Sequence, residues 1–252
     1  MQGQTRIRPA QGKDAMRPRL VILATVMMAL CGVTPAIAHA DVDDGAGSGA
    51  HVAVLAGALD RPERTMQQLH GSLCAPPNIC EPINYMNVGL AGPAIGQASL
   101  DDGVAKLDGW IRNTPGPKIV FGHSLGSNVI NRWLRQFSFD PTAPPPSELR
   151  FVTTGSPERA GTGFVYTDPE GKNRWRAPQG FGIPPNTPYK VVDICRKWDG
   201  FCYYIPGDER SIDGQMSKRH TDYSDINIDD PANQVTVNGN VTEVLVPTPG
   251  LG

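Results

Sequence analysis

The sequence predicts an α/β fold in which a mainly parallel sheet carries helices on both faces. Three observations lead there. Several apolar runs have strand length and no polar alternation, as strands buried on both sides do; stretches between them place apolar residues on one helical face; and the two kinds alternate along the chain. A chain of 252 residues, 39% apolar and 19% charged, is long enough for one domain that buries about 70% of its unfolded surface, with no metal needed to hold it. The 28 Gly and 24 Pro imply many loops, yet this much apolar content excludes a disordered chain, a collagen, a coiled coil and a multi-pass membrane protein.

Residues 1–40 read as an export signal. Arg6, Arg8, Lys13, Arg17 and Arg19 precede an apolar run over 20–30, and Ala36, Ala38 and Ala40 supply small-residue cleavage sites. An uninterrupted run of about 11 residues is short for a membrane span of about 20, and Pro35 follows it. Met16 offers a second start from which the signal is still complete. The acidic, Gly-rich stretch 41–50 is then a flexible mature N-terminus, and 51–252 is the folded domain.

Residues 51–59 (HVAVLAGAL) form a first buried strand ending near Gly57. Ser99 caps a helix whose Leu100, Val104, Leu107 and Ile111 share a face, and Pro115-Gly116-Pro117 ends it. Residues 118–121 make a second strand. A second helix over 127–137 turns Val129, Ile130, Trp133, Leu134 and Phe137 to one side. The proline-rich stretch 140–147 runs over the surface, and 151–154 and 190–195 are two further strands. Between those strands, 155–188 is a long irregular segment with Phe164, Tyr166, Trp175 and Phe181, and loops of that length are often functional. These aromatics either line a binding site or pin the loop down. The last element, 235–246, is a hairpin around Asn238-Gly239.

Charge narrows the partners. The formal net charge is −2, but residues 1–40 hold five Lys/Arg and one acid, so the remaining 212 residues carry 18 basic and 24 acidic groups. A net-acidic domain without a basic run is a poor ligand for nucleic acid. Export also changes how cysteine is read. With Cys31 lost in the signal, Cys74, Cys80, Cys195 and Cys202 remain, an even number in an oxidising compartment. The simplest of three pairings closes two short loops, Cys74–Cys80 and Cys195–Cys202. Neither spacing suits a zinc knuckle, so no metal is expected.

The chemistry centres on Gly122-His123-Ser124-Leu125-Gly126, a G-x-S-x-G pentapeptide lying directly between a strand and a helix. That context makes it a nucleophile elbow, the strand–turn–helix corner of α/β-hydrolase-like folds, which lifts a serine hydroxyl clear of the backbone. Serine needs a base, and in this fold the order is Ser, then Asp or Glu, then His. His220 is the one histidine well downstream; His123, beside the nucleophile, is expected to point elsewhere. Asp193, Asp199, Asp208 and Asp213 all lie between. Asp199 is preferred because a Cys195–Cys202 bridge would close its loop just after a strand and fix the carboxylate that orients the imidazole. Asp208 is the second choice, since Asp193 falls within the strand.

The spacing C-x3-D-x2-C at 195–202, followed by His220-Thr221-Asp222-Tyr223, resembles the Asp and His segments of cutinases. More closely, residues 51–249 are similar to the PE-PPE domain, a cutinase-like serine hydrolase module of mycobacterial cell-envelope and secreted proteins. The resemblance is carried by Leu55-Ala56-Gly57-Ala58, the elbow, the FVTTGSP run at 151–157, Trp198-Asp199-Gly200, His220-x-x-Tyr223 and Asn240-Val241-Thr242. It implies Ser124, Asp199 and His220 as catalytic residues, no cofactor, and an ester or lipid-like substrate met at the cell envelope or a membrane surface by a monomer. Cutinases commonly carry a hydroxyl residue where Ala58 stands. The oxyanion therefore falls to the backbone N–H groups of Leu125 and Ala58, and slow turnover is expected. The implied activity is a secreted carboxylic ester hydrolase. An acyltransferase with the same triad, or a non-catalytic lipid-binding protein on the same scaffold, are the alternatives.

Overall fold

A computed structural model describes residues 42–88, 93–167 and 182–248. The expected export signal, residue 41, and Trp175 and Phe181 of the long irregular segment lie outside the described residues, as do 249–252. The strands are β1 (His51–Leu55), β2 (Ile79–Pro82), β3 (Lys118–His123), β4 (Leu149–Thr154), β5 (Lys190–Arg196), β6 (Gln234–Asn238) and β7 (Val241–Val246). The helices are α1 (Pro62–Met66), α2 (Pro93–Asn113), α3 (Leu125–Phe137), α4 (Phe164–Thr167), α5 (Glu209–Gly214) and α6 (Lys218–Thr221), with a 3-10 turn at Leu69–Cys74.

The strands form one seven-stranded sheet in the order β2-β1-β3-β4-β5-β7-β6. Every neighbouring pair is parallel except β6 and β7, the hairpin expected around Asn238-Gly239. The unbroken apolar runs follow from burial on both sides. Ala53, Leu55, Val120, Phe151 and Val191 pack under α2 and α3, together with Leu100, Leu107, Ile111, Ile130 and Trp133. Val52, Val54, Ile119, Phe121, Val152 and Val192 face the other way. That second face is covered chiefly by irregular chain: Leu69 and Leu73 of the 3-10 turn, and Tyr223, Ile226 and Ile228. Among the described residues no helix is long and apolar enough to cross a membrane.

Three boundaries differ from expectation. Helix α2 begins at Pro93, not after Ser99. Proline suits a first helical turn, whereas Ser99 is fully buried inside the helix with its hydroxyl unpartnered. Helix α3 begins at Leu125 rather than Ser127, because the turn is complete within Ser124 itself; the Ser127 hydroxyl instead donates to the carbonyls of Gly122 and Thr154. Finally, residues 42–50 are no free tail. Val42 and Ala50 are buried, the Val42 N–H donates to Asp229 at 3.1 Å, and Asp43 is ion-paired with Arg150 and Lys190. Strand β2 does not stand out in the sequence, since four residues at a half-exposed sheet edge, ending in Pro82, show no alternation.

This topology places the site. After β1 the chain turns outward to β2, while β3, β4 and β5 are laid down in the opposite direction. The chain leaving the carboxyl ends of the paired strands β1 and β3 therefore runs to opposite sides, and such a switch point leaves a crevice.

Candidate active site

Ser124 stands at that crevice, one residue past β3. Its backbone, φ 52° and ψ −113°, is sparsely populated for a residue with a side chain. The strain is held by bonds on either side: the Ser124 N–H donates to Thr154 O (2.9 Å), and its carbonyl accepts from Ser127 (3.0 Å) and Asn128 (3.3 Å). Both glycines of the pentapeptide are needed for close approach. A Cβ on Gly122 would lie 2.7 Å from Ile130 Cδ1 and 2.8 Å from the Gly126 carbonyl, and one on Gly126 would run into the carbonyl of Leu55.

His220 lies in α6, whose N-cap Ser217 accepts from the Arg219 N–H. Its Nε2 is 2.9 Å from Ser124 Oγ, and its Nδ1 is 2.9 and 3.0 Å from the two Asp199 oxygens. With Asp199 ionised, Nδ1–H donates to the carboxylate and Nε2 accepts the serine proton. Asp199 is fully buried. It also accepts from the Phe201 N–H (2.9 Å) and the Tyr223 hydroxyl (2.6 Å). Burial pushes its carboxyl up, but His220 and these donors outweigh that and hold it below the ordinary carboxylate range. Burial and the neighbouring Asp199 raise the Tyr223 phenol well above its usual value, so it stays a donor.

The loop carrying Asp199 is closed by Cys195–Cys202, with Cα atoms 5.8 Å apart; Cys74 and Cys80 form the second disulfide. The other candidate acids lie elsewhere. Asp193 is buried in β5, bonded to Thr153 and paired with Arg159 at 2.7 Å. Asp208 caps α5 and pairs with Arg210 at 2.6 Å, and Asp213 is exposed on that helix.

A cavity of about 260 Å³ opens on the serine. Ala58, Leu59, Leu125, Pro157, Phe201 and Met216 supply its apolar wall; Asp60, Arg64, Gln215 and Thr221 add polar groups beyond Ser124, His123 and His220. Ala58 and Leu125 border it beside Ser124, and among the described residues neither N–H is engaged by a backbone acceptor. Phe164 is absent from the lining. It packs edge-on against Phe201 and Tyr204, at 5.9 and 5.0 Å, and so supports the wall from behind.

Sequence reasoning missed three neighbours of this hydrogen-bonded line. Tyr223 entered only as part of a spacing, yet it donates to Asp199. Phe201 lies with its ring 4.4 Å from that of His220. His123, expected to point away, lies against the back of His220 with ring centroids 5.0 Å apart and borders the cavity. Among the described residues no group of three His, Cys, Asp or Glu side chains is placed to hold a metal.

The profile of the PE-PPE domain matches residues 77–204, half of the chain. The chain belongs to the PE-PPE domain family. Over 120 residues this PE-PPE chain is 44% identical to the SL1278 acyltransferase Chp1 of Mycobacterium tuberculosis (strain H37Rv), a match covering 45% of the chain and 27% of that relative. It is 37% identical over 83 residues to the PPE family protein PPE63 of the same species, covering 33% and 17%. The chain thus spans about a quarter or less of the curated relatives it matches. Solved structures alike in outline include an acetylxylan esterase (18% identity, TM-score 0.46, 70% of this chain and 91% of that one) and a cutinase-like protein from Cryptococcus sp. (15%, 0.44, 72% and 89%).

Proposed function

We propose that this protein is a serine esterase that cleaves carboxylic esters of lipids or acylated sugars through an acyl-enzyme. The observation that carries this reading is the unbroken hydrogen-bonded line from Ser124 through His220 to buried Asp199 at the floor of a largely apolar cavity. In the reaction, Ser124 Oγ attacks the ester carbonyl while His220 Nε2 takes its proton. The N–H groups of Leu125 and Ala58 receive the oxyanion, at a position where one lost donor commonly costs about a hundredfold or more in rate. His220 returns the proton to the departing alkoxide. It then deprotonates water, which frees the acid and regenerates Ser124. Asp199, held by Tyr223 and the Phe201 N–H, keeps Nδ1 protonated and balances the imidazolium. A basic, apolar N-terminal segment and two disulfides support export to the cell envelope.

A second reading has one specific support, the relative named as an acyltransferase. In that reaction a sugar or glycerol hydroxyl replaces water at the acyl-enzyme. A non-catalytic lipid-binding role fits less well, since binding alone requires no base on the serine.

Labelling by a fluorophosphonate is the direct test. The wild type is expected to label and to hydrolyse nitrophenyl esters, and Ser124→Ala to lose both while keeping its far-UV circular dichroism. A well-folded, active Ser124→Ala variant ends the proposal. Mass spectrometry of products formed from an acyl donor with trehalose or glycerol present separates the two readings: free acid dominates for the hydrolase, acylated acceptor for the transferase.

A further inference from the structure

Behind the triad lies a second polar chain that the mechanism above leaves unused. His123 is buried at the end of β3, its ring centroid 5.0 Å from that of His220 and 5.6 Å from that of Tyr223. Its Nδ1 is 3.1 Å from the Thr154 hydroxyl, and that hydroxyl is 2.6 Å from Gln68 Oε1. The direction of these bonds decides a protonation state. An amide oxygen has no proton to give, so Thr154 donates to Gln68. Its oxygen then has only lone pairs for His123, and the imidazole must carry its proton on Nδ1 and leave Nε2 bare.

The same place keeps the ring uncharged. Burial, aided by the charge of His220, depresses the His123 value to about 3. The ionisable groups facing it are His220 from α6, Asp199 of the triad, Tyr223 that donates to Asp199, and Arg64 from α1. Packing is tight at their meeting point: a Cβ on Gly155, whose φ is +59°, would lie 3.1 Å from His123 Cε1, 3.2 Å from His220 Cε1 and 3.0 Å from Asp199 Oδ2.

We propose that Gln68, Thr154 and His123 form a positioning relay, in which the Thr154 hydroxyl locks His123 as its Nδ1–H tautomer and this uncharged ring holds His220 in line between Ser124 and Asp199. The relay rests on the triad reading given above. His220 becomes cationic during the reaction, so the ring behind it must fill the space without bringing a second positive charge. Gln68 and Thr154 are absent from the cavity lining, and His123, which borders the cavity, takes a positioning role through the plane of His220.

Thr154→Val preserves the shape and removes the hydroxyl. In wild-type protein, nitrogen-15 NMR of the imidazoles is expected to show His123 protonated at Nδ1 and bare at Nε2. In Thr154→Val an Nε2–H population should appear, and kcat for a nitrophenyl ester should fall about ten- to a hundredfold, the scale of a misplaced catalytic group, at unchanged KM. Thr154→Ser should restore both. Should Thr154→Val not fold, Gln68→Leu gives the same test, because the freed hydroxyl can then donate to His123 Nδ1 and reverse the tautomer. An unchanged tautomer in both variants overturns the proposal, as does a loss of kcat that Thr154→Ser fails to restore. The NMR measurement needs no turnover, so a protein that hydrolyses no ester would still report whether the relay exists.

Discussion

Tyr223 bears on how firmly Asp199 is held. Its hydroxyl donates to Asp199 at 2.6 Å and accepts from the Arg196 N–H at 3.0 Å, inside a fully buried pocket. Tyr223→Phe removes one bond to a buried charge and leaves the Arg196 N–H without that acceptor. A loss of about 1.5–3 kcal/mol in urea denaturation is expected, with kcat lowered about tenfold and KM unchanged; equal kcat in the two proteins would reduce Tyr223 to packing. A pH dependence follows from His123. Its folded value of about 3 lies below the ordinary histidine value, so on acidification the unfolded chain binds the proton first. The stability tied to it is complete above about pH 6.5 and is lost as pH falls toward 3, by up to about 1.4 kcal/mol for each unit crossed. Asp199, also depressed, adds a further loss below the ordinary carboxylate range. Thermal unfolding followed between pH 7 and 4 should show the first decline, and His123→Phe should flatten it; a wild-type midpoint that does not move over that range contradicts the assignment.

At the scale of elements, the loop between β5 and α5 is the part whose rigidity matters most. The Cys195–Cys202 bridge closes a loop of about eight residues, worth about 2–3 kcal/mol on chain-entropy reasoning. A domain with this much buried core tolerates that loss. The Cys195→Ser/Cys202→Ser double variant is therefore expected to remain folded at 25 °C and to lose most of its rate in kcat, because Asp199 and the Phe201 ring both ride on the loop. Full activity in that variant would show that Tyr223 and the Phe201 N–H suffice to hold the acid. The elbow was legible from a pentapeptide in its strand–helix context. Which carboxylate meets His220 was legible only as a preference among four; Asp208 instead caps α5 and Asp193 pairs with Arg159. Short elements such as α5 and α6 have too few residues to show a period, and they went unread.

Across the whole molecule, the core under α2 and α3 holds the largest fully buried side chain, Trp133. Trp133 is fully buried, packs on Phe151 and Tyr189 with centroids 5.4 and 5.8 Å apart, and donates Nε1–H to Asp108 at 3.0 Å. Trp133→Ala should cost about 3–5 kcal/mol, read as a lowered denaturant midpoint, while the KM of the folded fraction stays unchanged. A cost below about 1 kcal/mol would mean that this layer is not the centre of the core.

By itself the sequence determined the α/β class, the principal strands β1, β3, β4 and β5 with helices α2 and α3, the terminal hairpin and the place of Ser124, because each rests on neighbouring residues: apolar runs of strand length, a helical period, two glycines around a serine. Only the tertiary structure decided the order of strands, the covering of the second face by irregular chain, and the packing of residues 42–50. It alone put His123 behind His220 and Tyr223 on Asp199. Those contacts join positions as far apart as Gln68, Thr154 and Tyr223, and no local pattern records which buried polar groups will meet once the sheet has brought its strand ends together.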